Sequence, residues 1–223
     1  DNGYLFDNLK IKACGEDILK HQQQYPVVSL CLTSAKKLTF EAAQAALVNE
    51  VCKEMMRHLY VLQSDVLLPD EKERYSNILR QETCRENAAD ILSFLSACLA
   101  KYHGRKTVIL IDEYEVPLEN AYARGFYDEM LDFMRRLFES GIMKNQCLEK
   151  CVMTGNLRIN TEDVFGGVDS LAVKSISSLQ YSDYFGFTDA EIREMLEYLG
   201  IADKYEEMKE WYGGYYFGST ELY

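Results

Sequence analysis

Hydrophobic and polar positions change period several times along this chain, and each change marks an expected element. Val27-Val28-Ser29-Leu30-Cys31-Leu32, after Pro26, is a β-branched and apolar run of the kind that fills a strand buried on both faces of a parallel sheet. From Glu41 the spacing turns helical: Ala43, Leu47, Val51, Met55 and Leu59 recur at every fourth position and share one face. Leu68-Pro69-Asp70-Glu71 predicts a turn into a shorter polar helix reaching Arg80, and from Glu86 a further helix turns Ile91, Leu92, Leu95 and Leu99 inward. Thr107-Val108-Ile109-Leu110-Ile111 is a second strand. A helix through Tyr127, Met130, Leu131, Met134, Leu137 and Phe138 follows and is expected to stop at Ser140-Gly141. Leu148 to Met153 and Leu171 to Ile176 supply two more strand-like runs.

The last third reads as helical and lid-like. Thr188-Asp189-Ala190-Glu191 has the capping-box form, with Phe187 placed to staple onto Ile192 and Gly200 placed as a stop. A second helix through Tyr205, Met208 and Trp211 ends at Gly213-Gly214, before the aromatic cluster Tyr215-Tyr216-Phe217. Aromatics at that density serve packing more often than they stack a base. Strands alternating with helices predict an α/β fold with a parallel sheet. The expected division is a core over 1–178 and a helical segment over 179–223.

Charge and composition narrow the function classes. Hydrophobic residues make up 48% of the chain, enough for a substantial core, and the net charge of −12 would repel nucleic-acid phosphates and anionic lipid. No apolar run approaches the roughly 18 residues of a membrane span, and the expected location is the cytoplasm. Seven cysteines cannot all pair within one chain, so reduced thiols are expected. Cys147 and Cys151 lack a second cysteine pair or a nearby histidine to complete a zinc set. His21, His58 and His103 read as surface or packing residues.

The chemistry concentrates where the Thr107–Ile111 run ends in Asp112-Glu113. Ligands of open parallel sheets bind outside the carboxyl ends of the strands. An apolar strand ending in Asp-Glu has the form of a Walker B element, whose aspartate holds a nucleotide-bound Mg²⁺ and whose glutamate polarises the attacking water. The plainer alternative is a strand giving way to a polar loop. The third run ends in Thr154-Gly155, which makes Thr154 a candidate sensor of the γ-phosphate. Asn156 is its rival, and Arg158 could reach a phosphate or pair with acidic neighbours.

Tyr25-Pro26-Val27-Val28, Val108-Ile109-Leu110-Ile111-Asp112-Glu113-Tyr114-Glu115-Val116-Pro117-Leu118, Thr154-Gly155-Asn156-Leu157-Arg158-Ile159, Tyr184-Phe185-Gly186-Phe187-Thr188 and Trp211-Tyr212-Gly213-Gly214-Tyr215-Tyr216-Phe217-Gly218 together resemble the AAA-ATPase-like family of bacterial P-loop proteins. The resemblance implies a P-loop NTPase-like fold of the additional-strand class, ATP and Mg²⁺ as cofactors, Asp112 on the metal and Glu113 on the water. It also implies that a PD-(D/E)XK nuclease-like region commonly follows.

One departure stands out. The phosphate loop G-x-x-x-x-G-K-[ST] is absent, and Gly104-Arg105-Lys106-Thr107 enters a strand instead of leaving one. The expectation is therefore an incomplete core lacking its first strand and phosphate loop, inactive alone. That strand would lie between the Leu171–Ile176 and Cys151–Thr154 strands, and the open slot is expected to be filled by another strand or chain, or by closure of its two edges. The alternative is a non-catalytic regulatory or interaction module with a degenerate nucleotide site. A nuclease centre built from Asp112, Glu113 and Glu115 is disfavoured, because no (D/E)-x-K strand follows.

Overall fold

The computed structural model describes residues 2–80, 88–156 and 171–223 and divides the chain into two units, Asp1–Val168 and Asp169–Tyr223. After a single turn of helix, α1 (Glu16–Leu19), the first unit is organised around three parallel strands. They are β1 (Val27–Cys31), β2 (Thr107–Asp112) and β3 (Leu148–Met153), in the order β1-β2-β3. Val28 pairs in register with Ile109, and Ile111 faces Leu30 on one side and Met153 on the other. Among the described residues β2 is thus central, and β1 and β3 are edge strands.

Burial corrects the expectation of strands covered on both faces. Val28, Leu30, Ile109 and Ile111 are at most 2% exposed, while Leu110 is 38% and Val152 44% exposed on the alternate face. Period-2 burial arises where helices cover the sheet: α2 (Phe40–Arg57) packs against β1 and α4 (Ala88–His103) against β2.

Local chemistry accounts for the helices. Thr39 caps α2 by accepting the Ala42 N–H at 3.3 Å, and Ala43, Leu47, Val51 and Met55 form the buried stripe. Leu59 lies beyond the helix end and is exposed, a correction to the expected stripe. In α3 (Pro69–Leu79) the proline occupies the first turn and the Glu71 carboxylate accepts the Leu68 N–H at 2.9 Å. Ile91, Leu92, Leu95 and Leu99 are the buried residues expected of α4.

Beyond β2, a helix absent from the expected set, α5 (Val116–Arg124), precedes α6 (Tyr127–Phe138). The expected stop at Ser140-Gly141 is instead a π turn over Glu139–Met143 that carries the helix onward. Gly141 serves close packing there: a Cβ would meet Leu92 Cδ2 at 2.6 Å.

The second unit holds α7 (Asp189–Tyr198), α8 (Tyr205–Tyr212) and an antiparallel hairpin of β4 (Tyr215–Phe217) and β5 (Thr220–Leu222). The capping box is formed, with Thr188 N–H donating to Glu191 Oε2 at 3.0 Å. Ile192, Leu196 and Tyr205 make its small core, with Met208 and Tyr223 against them. The aromatic cluster is the hairpin's first strand, and Tyr215 and Tyr216 are exposed. Leu171–Ile176 is not a strand: the segment is irregular and largely exposed, with no ladder partner among the described residues. An apolar β-branched run becomes a strand only where a neighbour takes its backbone groups.

Candidate functional site

The carboxyl ends of β2 and β3 bring four of the sequence-predicted residues together. Parallel pairing continues past the strands, with Thr154 N–H donating to Ile111 O at 2.9 Å and Tyr114 N–H to Thr154 O at 3.2 Å. This register sets the Thr154 hydroxyl on Asp112 Oδ1 at 2.5 Å. The same oxygen accepts the Glu113 N–H at 3.1 Å. Glu113 adopts φ +56°, a left-handed conformation that ends the strand sharply and costs a non-glycine residue about 1–2 kcal/mol. Its carboxylate faces the Asn156 side-chain amide, at 3.4 Å and 3.3 Å from the two oxygens. Arg158 lies outside the described residues.

Glu115 is the residue that sequence reasoning set aside. Only 1% exposed, it accepts the Asn156 backbone N–H on Oε1 at 2.6 Å, while Oε2 is buried with no hydrogen-bond partner among the described residues. Oε2 occupies the space that a side chain at position 155 would fill, so the Thr154-Gly155-Asn156 turn reaches Glu115 only because residue 155 is glycine. The available signal was the third acid in Asp112-Glu113-Tyr114-Glu115, placed just before a Pro-containing helix start.

A second polar cluster also escaped the sequence. Glu54, 4% exposed on α2, accepts the Ser29 N–H at 3.0 Å and so occupies a backbone donor of edge strand β1. His58 Nε2 lies 3.2 Å from the same Glu54 oxygen. The Tyr60 hydroxyl joins His58 Nδ1 at 3.0 Å to His103 Nε2 at 2.8 Å. Burial and the neighbouring His58 hold the His103 pKa below its ordinary value. Two of the three histidines therefore belong to one network instead of being isolated packing residues.

A family model described as "Predicted AAA-ATPase" matches residues 1–165. The chain belongs to the AAA-ATPase-like family. No curated protein and no solved structure matches it. In this AAA-ATPase-like chain the matched span contains Asp112, Glu113, Thr154, Asn156 and Arg158, and it stops before Tyr184–Thr188 and Trp211–Gly218. Three parallel strands with flanking helices agree with a P-loop NTPase-like architecture.

The donor set bears on the cofactors that membership suggests for the intact protein. Among the described residues no group of three or more His, Cys, Asp or Glu could hold a metal ion. A carboxylate beside a hydroxyl, Asp112 with Thr154, offers hard oxygens suited to Mg²⁺, which is typically bound by one or two carboxylates with water and phosphate completing the octahedron. No helix among the described residues is long and apolar enough to cross a membrane.

Proposed function

We propose that this chain carries the Walker B and sensor half of a Mg²⁺-dependent ATPase site. Asp112 would hold the magnesium, Glu113 would orient water toward the γ-phosphate, Thr154 would sense that phosphate, and Asn156 and Arg158 would line the nucleotide. Bound magnesium would neutralise charge developing on the phosphates. The chain's own residues orient and hold: Asp112 fixes the Thr154 hydroxyl and the Glu113 amide, and Asn156 restrains the Glu113 carboxylate.

The single observation carrying this reading is that Asp112, Glu113, Thr154 and Asn156 meet at the carboxyl ends of two neighbouring strands through direct hydrogen bonds.

The phosphate cradle would come from outside these residues, since no G-x-x-x-x-G-K-[ST] occurs among them. The two sheet edges support placing it next to β3. On β1, Glu54 already takes the Ser29 N–H, whereas β3 pairs only with β2 among the described residues. A strand added beside β3, from an N-terminal piece or another chain, would bring a phosphate loop to the Asp112 end of the sheet. Without that cradle the chain alone lacks most of the electrostatic stabilisation of phosphoryl transfer and would not turn over. The proposed setting is cytoplasmic, with residues 1–178 as the ATPase-like core and 179–223 as a helical, lid-like segment.

The missing cradle also favours a second reading, a non-catalytic regulatory or interaction module with a degenerate nucleotide site. Nucleotide binding and Mg²⁺-dependent hydrolysis by a polypeptide extended in both directions separate the two, with Asp112→Ala and Glu113→Gln as controls. Binding and turnover sensitive to both substitutions support the ATPase, and no triphosphate binding refutes it.

A further inference from the structure

We infer that Glu115 is a positioning residue, setting Glu113 through Asn156. The inference rests on the reading of Glu113 as the water-orienting group.

Glu115 precedes α5, where an acidic side chain ordinarily folds back to cap its own helix. It does not do so: no side-chain cap bond is made, and Oε1 instead crosses 41 positions to the Asn156 N–H. Burying a carboxylate with one oxygen unbonded is costly, and an apolar residue of similar volume would normally stabilise the fold better. The cost has a geometric return. Glu115 fixes the Asn156 backbone at 2.6 Å, and the Asn156 amide then lies across both oxygens of Glu113. Glu113 is held from behind as well, by Asp112 Oδ1 on its N–H. Gly155 completes the unit, because Glu115 Oε2 and the Tyr114 ring fill the volume of any side chain there. One buried carboxylate thereby fixes the turn after β3 against the turn after β2.

The test uses the full 223-residue chain first. Hydrogen exchange of the Asn156 backbone amide and the resonances of its side-chain NH₂ are recorded by NMR for wild type, Glu115→Leu and Glu115→Gln. Leucine should lower Asn156 protection at least about tenfold, the scale of a lost hydrogen bond to a charged group, and move the NH₂ signals. Glutamine retains an acceptor oxygen and should restore most of the protection. Loss of thermal stability in Glu115→Leu with both Asn156 readouts unchanged would overturn the inference.

A second arm uses the extended polypeptide. Glu115→Leu should lower kcat about tenfold with KM for the triphosphate unchanged, Asn156→Ala should lower kcat at least as far, and the double variant should fall no further than Asn156→Ala, because both act on one chain of contacts. Fully additive losses would overturn the inference. If Glu113→Gln leaves turnover intact, the reading of Glu113 fails, and the Asn156 signals still decide whether Glu115 sets the contact.

Discussion

Replacing Gly155 by alanine probes the tightest contact of the candidate site. The added Cβ falls well inside contact distance of Glu115 Oε2 and 2.8 Å from Cδ1 and Cε1 of the Tyr114 ring. Gly155 does not have a left-handed φ, so the whole effect comes from lost space. Two responses are open to the fold. Glu115 can swing away and lose its bond to the Asn156 N–H, costing about 1.5–3 kcal/mol, or the side chains can stay and absorb overpacking strain of about 1–3 kcal/mol. These are alternatives, so the expected loss is about 1–3 kcal/mol, a fall in melting temperature of about 2–12 °C for a chain of this size. Far-UV ellipticity follows the transition, and hydrogen exchange at Asn156 shows which response occurred. A variant within about 0.5 kcal/mol of wild type, with Asn156 still protected, would show that Glu115 does not lie against this turn.

Glu54→Ala should destabilise the first unit by about 3 kcal/mol in urea titration, because it strips a partner from the Ser29 N–H, from His58 and from Arg57 together. A loss under 1 kcal/mol would contradict the buried network. In the second unit, hydrogen bonds from Tyr205, Arg193 and Tyr223 hold the Asp189 carboxyl down at about 2. A lowered carboxyl pKa contributes stability that is complete above its ordinary value of 3.8 and fades as pH falls through about 2. Acid titration followed by the fluorescence of Trp211, the single tryptophan, should show this loss, and Asp189→Asn should remove that part of the pH dependence. An identical acid profile in the variant would refute the assignment.

Local signals carried most of the fold. The α2 stripe as far as Met55, the Thr188 capping box and the strand ending at Asp112 each depend on residues close in sequence, and each is formed. What escaped depends on distant pairing. Glu115 meets Asn156 across 41 positions, and Tyr60 meets His103 across 43, with no local pattern announcing either. Leu171–Ile176 fails for a related reason: its composition suits a strand, but no ladder among the described residues takes it. The continuous apolar runs of β1 and β2 suggested two covered faces, yet coverage is set by where α2 and α4 pack. The juxtaposition of Thr154 with Asp112 was legible only after the two strands were taken as neighbours.

The most direct measurement is triphosphate binding and turnover, with and without Mg²⁺, by a polypeptide containing this chain and its flanking sequence. The account predicts Mg²⁺-dependent binding, lost in Asp112→Ala. In Glu113→Gln it predicts retained binding with turnover reduced about a hundredfold, the scale of a lost transition-state contact. Wild type that binds no triphosphate at any magnesium concentration would contradict it.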